Sequence, residues 1–137
     1  MSNAEAIPNE MRVVRDALRS LGYANAYDVP VSPWLCEEPI VVSMTDWERE
    51  SRQEDGSVRG RRDLTVHVCC DDWKDARVTS REVSRQLSGF DWTHAKAPER
   101  MRIVACDVRP PYDYGRDRSG RWIWDVTMTM TVVIENG

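Results

Sequence analysis

The chain has 137 residues, a formal net charge of −4 at pH 7, 41% hydrophobic residues and 31% charged residues. This composition excludes an intrinsically disordered chain, and the negative charge argues against a general attraction to nucleic acid or anionic membranes. No apolar run approaches the roughly 20 residues that a membrane-spanning helix needs. We therefore predict one globular domain over residues 1–137 without a membrane segment.

The N-terminal part of the chain has the spacing of an amphipathic helix. Apolar residues recur at intervals of four and three and form one stripe: Ile7, Met11, Val14, Leu18 and Leu21. Such a stripe is the core-facing side of a helix, and Gly22 follows as a natural terminator. The start is open between a cap at Ser2 and a cap at Asn9.

The next segment, residues 23–39, is predicted to be irregular. Three prolines interrupt it, and proline clusters mark loops. We expect Trp34 and Leu35 to anchor this segment to the core.

A long antiparallel hairpin is predicted next. Apolar residues alternate from Pro39 to about Trp47 and again over residues 64–70, which is the period of strands. Residues 48–63 between them are almost wholly polar, and Asp55-Gly56 is the strongest turn signal. The distal part of this hairpin therefore has no apolar face.

A second helix and a third strand follow. Asp71 or Asp72 is predicted to cap the start of the helix, and Gly89 is predicted to end it. The residues at helical spacing that form its buried face are Trp73, Ala76, Ser80, Val83 and Leu87. A strand over residues 101–108 has two alternating faces: Met101, Ile103 and Ala105 against Val104, Cys106 and Val108. Residues 112–120 are predicted to be a polar connection.

The last strand has the clearest pattern of the chain. From Arg121 to Ile134, one face carries Trp122, Trp124, Val126, Met128, Met130, Val132 and Ile134. The other face carries Ile123, Asp125, Thr127, Thr129, Thr131 and Val133. A period of two over this length indicates a strand with one buried face. The element order predicts an α+β, two-layer αββαββ fold, an antiparallel sheet with two helices packed on one face.

The best candidate for chemistry is the cluster of His67 and Cys69 on one face of a strand. Zinc takes such ligands, but a structural site needs four, and no second pair has ligand spacing. A Cys–His nucleophile pair lacks an orienting third group, and Asp125 reads as a solvated carboxylate. No phosphate-binding glycine loop or hydrolase motif occurs. We therefore expect no catalytic residues, no metal and no cofactor, and four reduced cysteines.

A basic cluster lies within the hairpin. It comprises Arg49, Arg52, Arg59, Arg61 and Arg62, interleaved with acidic residues. Balanced charge leaves three alternatives open: a solvated arm, a protein interface of ion pairs, or a contact with nucleic acid phosphates. Trp47 stands beside this cluster, and tryptophan and arginine are the residues that anchor protein partners.

Three features together resemble the tail terminator, or tail completion (minor tail), proteins of long-tailed phages and prophages. An N-terminal helix leads through a proline-rich segment into Pro39-Ile40-Val41-Val42. A polar hairpin returns through residues 61–68 into the second helix. Residues Tyr112, Asp117, Gly120 and Trp122 then precede a long alternating strand. The resemblance covers nearly the whole chain.

The resemblance implies a structural virion protein rather than an enzyme. Such proteins form a ring, commonly a hexamer, that caps the tail tube and meets the head connector, or stopper, at the tail–head junction of a virion assembled in the host cytoplasm. DNA would pass through the lumen without specific binding. The hairpin arginines, Trp47 and the outer-face residues Thr127, Thr129 and Thr131 would then face a neighbouring subunit, another partner or the lumen.

Two other classes remain open beside this one. A head–tail connector or neck protein has a related architecture. A small α+β module that binds nucleic acid or protein would use Arg61 and Arg62 for contact.

Overall fold

The computed structural model describes residues 9–95, 97 and 100–135, without the side chains of residue 9 and residues 45–52. The helices are α1 (Asn9–Ser20) and α2 (Trp73–Ser88), with a 3₁₀ turn at Trp92–His94. The strands are β1 (Ala26–Tyr27), β2 (Ile40–Arg52), β3 (Val58–Cys70), β4 (Met101–Val108), β5 (Tyr112–Arg116) and β6 (Trp122–Ile134). Within the described residues, neither helix has the length and apolarity needed to cross a bilayer.

The end of α1 follows the glycine prediction. Gly22 adopts a φ of +105°, a conformation that costs glycine little because it has no Cβ. The Tyr23 N–H donates to the Leu18 carbonyl at 3.0 Å, and the Gly22 N–H donates to the Arg19 carbonyl at 3.1 Å. This pair of bonds is a Schellman motif, which satisfies carbonyls that the helix end leaves unpaired. The predicted start at Ser2 lies outside the described residues.

The strands form one sheet in the order β1-β2-β3-β6-β4, with β5 paired to β6 beside β4. Only the short β1–β2 pair is parallel, and β3 pairs with β6 from Val58↔Ile134 to Cys70↔Trp122. Both helices contribute to the core on one face of this sheet, together with alternate residues of β3 and β6: Leu64, Val66, Val68, Val126, Met128, Met130 and Val132. The predicted α+β fold class is confirmed.

The hairpin turns where it was predicted to turn, its strands extend through the polar part, and it is not a detached arm. Strand β2 continues to Arg52, and the turn lies near Gly56, which has a φ of +87°. Because β3 is paired with β6 along its whole length, β2 is the strand of this hairpin with an outer edge, from Val42 onward, that no described strand pairs. The polar distal part of the hairpin is therefore part of the sheet.

The predicted polar connection contains a strand. Residues Tyr112–Arg116 pair with the first part of β6, while β4 pairs with its second part. Between them the Arg109 N–H donates to the Thr127 carbonyl at 3.0 Å, and Pro110 and Pro111 follow. Strands β4 and β5 therefore run along one side of β6 as a single path that a diproline interrupts.

The two predicted faces of β4 are also corrected. A register shift separates Ile103 from Ala105, and a bulge of this kind changes the side on which later residues lie. Cys106 and Val108 consequently pack against the same core as Ile103, whereas Ala105 is exposed.

Three predicted core contacts are wrong. Trp34 and Leu35 are 96% and 73% exposed, so neither anchors its segment. The buried residues of that segment are Ala26, Asp28, Val31 and Pro39 instead. Trp73 is 38% exposed, and its indole N–H donates to Asp113 at 2.9 Å on the surface.

Candidate functional site

The sheet face that turns away from both helices carries most of the predicted interface residues. It consists of the β3 residues Arg59, Arg61, Asp63, Thr65, His67 and Cys69 and the β6 residues Ile123, Asp125, Thr127, Thr129, Thr131 and Val133. We call it the polar face. Direct cross-strand pairing places Arg61 opposite Thr131 and Asp63 opposite Thr129. Two sets of residues that the sequence suggested separately therefore lie side by side.

Strand alternation separates Arg62 from the arginines beside it. Arg59 and Arg61 are exposed on the polar face, but Arg62 points to the helix-covered side and is only 7% exposed. Its Nε donates to Glu10 Oε2 at 2.9 Å, which ties β3 to the first turn of α1. Arg62 is thus part of an internal ion pair, which corrects its grouping with the surface arginines.

The threonines of β6 are half-buried rather than fully exposed. Thr129 donates to Asp63 at 2.9 Å and accepts a bond from the Arg109 guanidinium. This row of polar groups runs across β3, β6 and the end of β4. Strand pairing places the backbones of Trp47, Arg49 and Arg52 opposite Arg62, Gly60 and Val58, and their side chains lie outside the described residues.

A second polar row crosses three strands at His67. The Nδ1 atom of His67 is 2.6 Å from Asp125 Oδ1, and its Nε2 atom is 2.8 Å from Ser43 Oγ. The neutral tautomer that fits this geometry carries its proton on Nδ1, facing the carboxylate acceptor, and in that tautomer Nε2 accepts from the Ser43 hydroxyl. The Tyr112 hydroxyl lies 3.5 Å from the other oxygen of Asp125.

Burial distinguishes the members of this row. Asp125 is 2% exposed, which contradicts its interpretation as a solvated carboxylate in a turn. Burial and the adjacent Asp125 charge raise the pKa of Tyr112, so its hydroxyl stays a donor at neutral pH. The order Ser43–His67–Asp125 is the hydrogen-bond order of a serine nucleophile, its base and the group that orients the base.

A cavity of about 320 Å³ lies beside Ser43 and His67 and is also lined by Cys69, Asp117 and Arg121. Arg121 donates from its Nε atom to Asp117 at 2.8 Å. Its buried Nη1 atom has no hydrogen-bond partner among the described residues. The cavity therefore combines a hydroxyl, an imidazole and a guanidinium donor.

The environment of Cys69 bears on the two roles considered for it in the sequence, a zinc ligand and a nucleophile paired with His67. Burial raises the pKa of the Cys69 thiol to about 11, so the thiol is protonated at neutral pH and is a poor nucleophile. Both ring nitrogens of His67 are hydrogen-bonded elsewhere. Among the described residues, no group of three or more His, Cys, Asp or Glu side chains is placed to hold a metal ion.

Nothing in the sequence indicated Ser43, and Asp125 was interpreted as solvated, because the two residues come from different strands that meet only at His67. A signal for Asp125 was present, since it is the one carboxylate within the alternating pattern of β6. Its partner depends on the register that places it opposite His67, and the sequence does not fix that register.

Comparison with known proteins identifies structures of similar fold but does not assign the chain to a family. No family model matches the chain, and a comparison with curated proteins found no match. Among solved structures, 23 chains match. One is a chain of the virion of the native gene transfer agent (GTA) particle, with a TM-score of 0.65 and 17% sequence identity over 95% of this chain and 99% of that chain. At this identity, the similarity shows the shared fold.

Proposed function

We propose that this protein is a structural virion component that forms a ring on the end of a phage tail tube and joins the tube to the head connector. The observation that carries the proposal is the fold similarity to a chain of a GTA virion, because it extends over 95% of this chain and 99% of that chain. A shared fold alone does not imply a shared function. The tail-terminator resemblance in the sequence narrows the proposal to the tail end.

The sheet offers a physical route to a ring. Its outermost long strands are β2 and β4, and each has an outer edge that no described strand pairs, except where β1 covers the first two residues of β2. Unpaired strand edges are templates for pairing with another chain. Contacts between two different edges are head-to-tail, and such contacts close into rings when the rotation permits.

The polar face is assigned to a neighbour or the lumen in this proposal. Arg59 and Arg61 are exposed there, next to the half-buried Thr127, Thr129 and Thr131. Mixed polar groups on a net acidic chain suit a channel through which DNA slides without specific binding, since repulsion opposes sticking. The proposal includes a hexameric ring, a single domain, no enzymatic activity, and the tail tube protein and head connector as partners at the tail–head junction.

The test is the mass and shape of the purified full chain, alone and with tail tubes. We expect sedimentation velocity and negative-stain images to reveal closed rings at high protein concentration and on tube ends. A chain that stays monomeric under both conditions would refute the proposal. Rings that bind isolated head connectors but not tail tubes would favour a neck protein, and strong salt-dependent DNA binding would favour a nucleic-acid module.

The Ser43–His67–Asp125 row favours a second candidate function, hydrolysis of a small ester. The Ser43 oxygen would attack the carbonyl carbon while His67 accepts the hydroxyl proton, and the Arg121 guanidinium that lines the same cavity would stabilise the developing oxyanion. The ester C–O bond would then break, His67 would give its proton to the leaving alkoxide, and water would hydrolyse the resulting acyl-enzyme. Treatment with a fluorophosphonate tests this idea, since attack by Ser43 forms a P–O bond and releases fluoride. An unlabelled Ser43, or equal labelling of the Ser43→Ala variant, would dismiss it.

A further inference from the structure

The most exposed large hydrophobic side chain of the described residues lies in the loop between β1 and β2. Trp34 is 96% exposed and the adjacent Leu35 is 73% exposed. Leaving an indole and a leucine in water forfeits about 1.5–3 kcal/mol for each side chain that a partner could bury. We call these two residues the apolar tip.

The apolar tip is held on a defined loop. The N–H groups of Leu35 and Cys36 both donate to the Ser32 carbonyl, at 3.0 and 3.2 Å. Pro33 limits the backbone of the same turn, and the loop is anchored where Val31 packs at 8% exposure. A tip that is already ordered loses little conformational entropy when it binds.

A cavity that can receive an aromatic ring lies elsewhere on the molecule. It has a volume of about 470 Å³ and is lined by Val13 and Ala17 of α1 and by Phe90 and Ala95 after α2. Pockets that enclose ligands have volumes of about 300–1,000 Å³ and are mostly apolar with a few polar groups. Here Asp16 and Asp91 supply the carboxylates at the cavity, which suit the indole N–H of a tryptophan because that group only donates.

The tip and the cavity lie on opposite flanks of α1. Arg15 and Arg19 reach from one flank to Asp28 and to the Ala26 carbonyl, where the tip loop begins. Val13 and Ala17 line the cavity on the other flank, because residues at these spacings point about 120–160° away from Arg15 and Arg19 on a helix of 3.6 residues per turn. Two such surfaces on one chain suit a head-to-tail contact between copies.

We propose that the apolar tip of one copy inserts into the α1–Phe90 cavity of the next copy in the ring. This inference rests on the ring proposed above. The tip buries a few hundred Å², since one aromatic side chain buries about 150–250 Å², whereas a stable interface needs about 1,200–2,000 Å². The contact is therefore one part of a larger interface, and Trp34 is its anchor.

The experiment compares three variants of the full chain with the unmodified protein. Trp34→Ala removes the tip, and Ser20→Trp fills the cavity from its rim with a residue of the same chain. Tyr114→Ala is the matched control, because Tyr114 is a 63% exposed aromatic residue of β5 away from both surfaces. Circular dichroism checks the folding of each variant, and sedimentation velocity over a concentration series measures assembly.

We expect Trp34→Ala and Ser20→Trp each to raise the concentration for half-assembly at least about tenfold, as the loss of an interface anchor does. Tyr114→Ala should assemble like the unmodified protein. An equal mixture of the two defective variants should form dimers and no rings, because one supplies the only free cavity and the other the only tip.

The outcomes separate this inference from the proposed function. If the unmodified chain and Trp34→Ala form rings at the same concentration, the tip is not an anchor and the ring proposal stands. If Trp34→Ala stays monomeric but the mixture gives no dimers, the cavity is not the receptor and the inference is wrong. If the unmodified chain forms no ring even with tail tubes, the proposed function fails first.

Discussion

The internal ion pair between Arg62 and Glu10 gives the sharpest stability prediction. The Arg62 Nε and Glu10 Oε2 atoms are 2.9 Å apart, and their side chains are 8% and 9% exposed. The pair joins the middle strand β3 to the first turn of α1 across a sequence separation of 52 residues. Replacing Arg62 by Met keeps much of the apolar stem but leaves the Glu10 carboxylate buried without its partner.

The expected cost is large because the remaining charge has lost its counterion. Removal of one partner of a buried ion pair typically costs about 3–5 kcal/mol, whereas replacement of both by apolar residues is neutral or stabilising by about 1–4 kcal/mol. The N-terminal dipole of α1 moderates the loss, since it stabilises a first-turn carboxylate by about 0.3–1 kcal/mol. We therefore expect Arg62→Met to lose about 3–4 kcal/mol and the double variant Arg62→Met, Glu10→Leu to recover most of it.

Urea unfolding at pH 7 measures both variants and the Glu10→Leu single variant as a double-mutant cycle. The matched control is Arg85→Ala. This substitution breaks a surface ion pair between Arg85 and Glu82, in which the Arg85 side chain is 74% exposed. It should leave the unfolding midpoint unchanged. A loss below about 1 kcal/mol for Arg62→Met, or additive effects in the cycle, would refute the reasoning that desolvation makes this pair indispensable.

The remaining predictions concern buried thiols and a turn carboxylate. Burial raises the pKa of Cys69 to about 11 and the pKa values of Cys70 and Cys106 to about 12, so iodoacetamide at pH 8 should modify these three much more slowly in the native protein than in urea, and equal rates by mass spectrometry would contradict the burial. Burial acts to raise the pKa of Asp117, but hydrogen bonds from Ser119 and Arg121 outweigh it and lower the pKa below 3.8. The stabilisation from Asp117 is thus present above pH 3.8 and is lost as the pH falls through the lower folded-state value. The Asp117→Asn variant should therefore be less stable than the unmodified protein at pH 6, with a difference that shrinks towards pH 3; a pH-independent difference in unfolding free energy would overturn this assignment.

Strands in which apolar residues alternate over many positions were predictable from the sequence. Strands without such alternation were not. Strand β6 alternates over its 13 residues and β3 over residues 64–70, and burial of one face leaves such a pattern little freedom. Strand β5 reads Tyr-Asp-Tyr-Gly-Arg, and its place in the sheet comes from backbone pairing to β6, for which side-chain hydrophobicity gives no signal. The bulge after Ile103 similarly exchanges the faces of β4 without a marker in the sequence.

The candidate sites divide in the same way, into features that residue alternation predicts and features that depend on how the strands pair. The Thr face of β6 was predicted from alternation, but the Ser43–His67–Asp125 row needs the register of three strands, which residue types do not encode. Arg62 was placed with Arg61 because the two are adjacent in sequence, although adjacent strand residues point to opposite faces. Trp34 was expected to anchor its loop, but it is 96% exposed, since Val31 and Pro39 are buried in that segment instead.

The diproline between β4 and β5 has a consequence for how the outer border of the sheet can be used. Pro110 and Pro111 have no N–H groups to donate, so a pairing strand from another molecule cannot run continuously past them. The border is therefore split into a segment of eight residues and a segment of five, and no single added strand can pair with both. In the proposed ring, a neighbouring subunit would pair with the β4 segment and leave the β5 edge to a different contact, so the two halves of this border would serve separate partners.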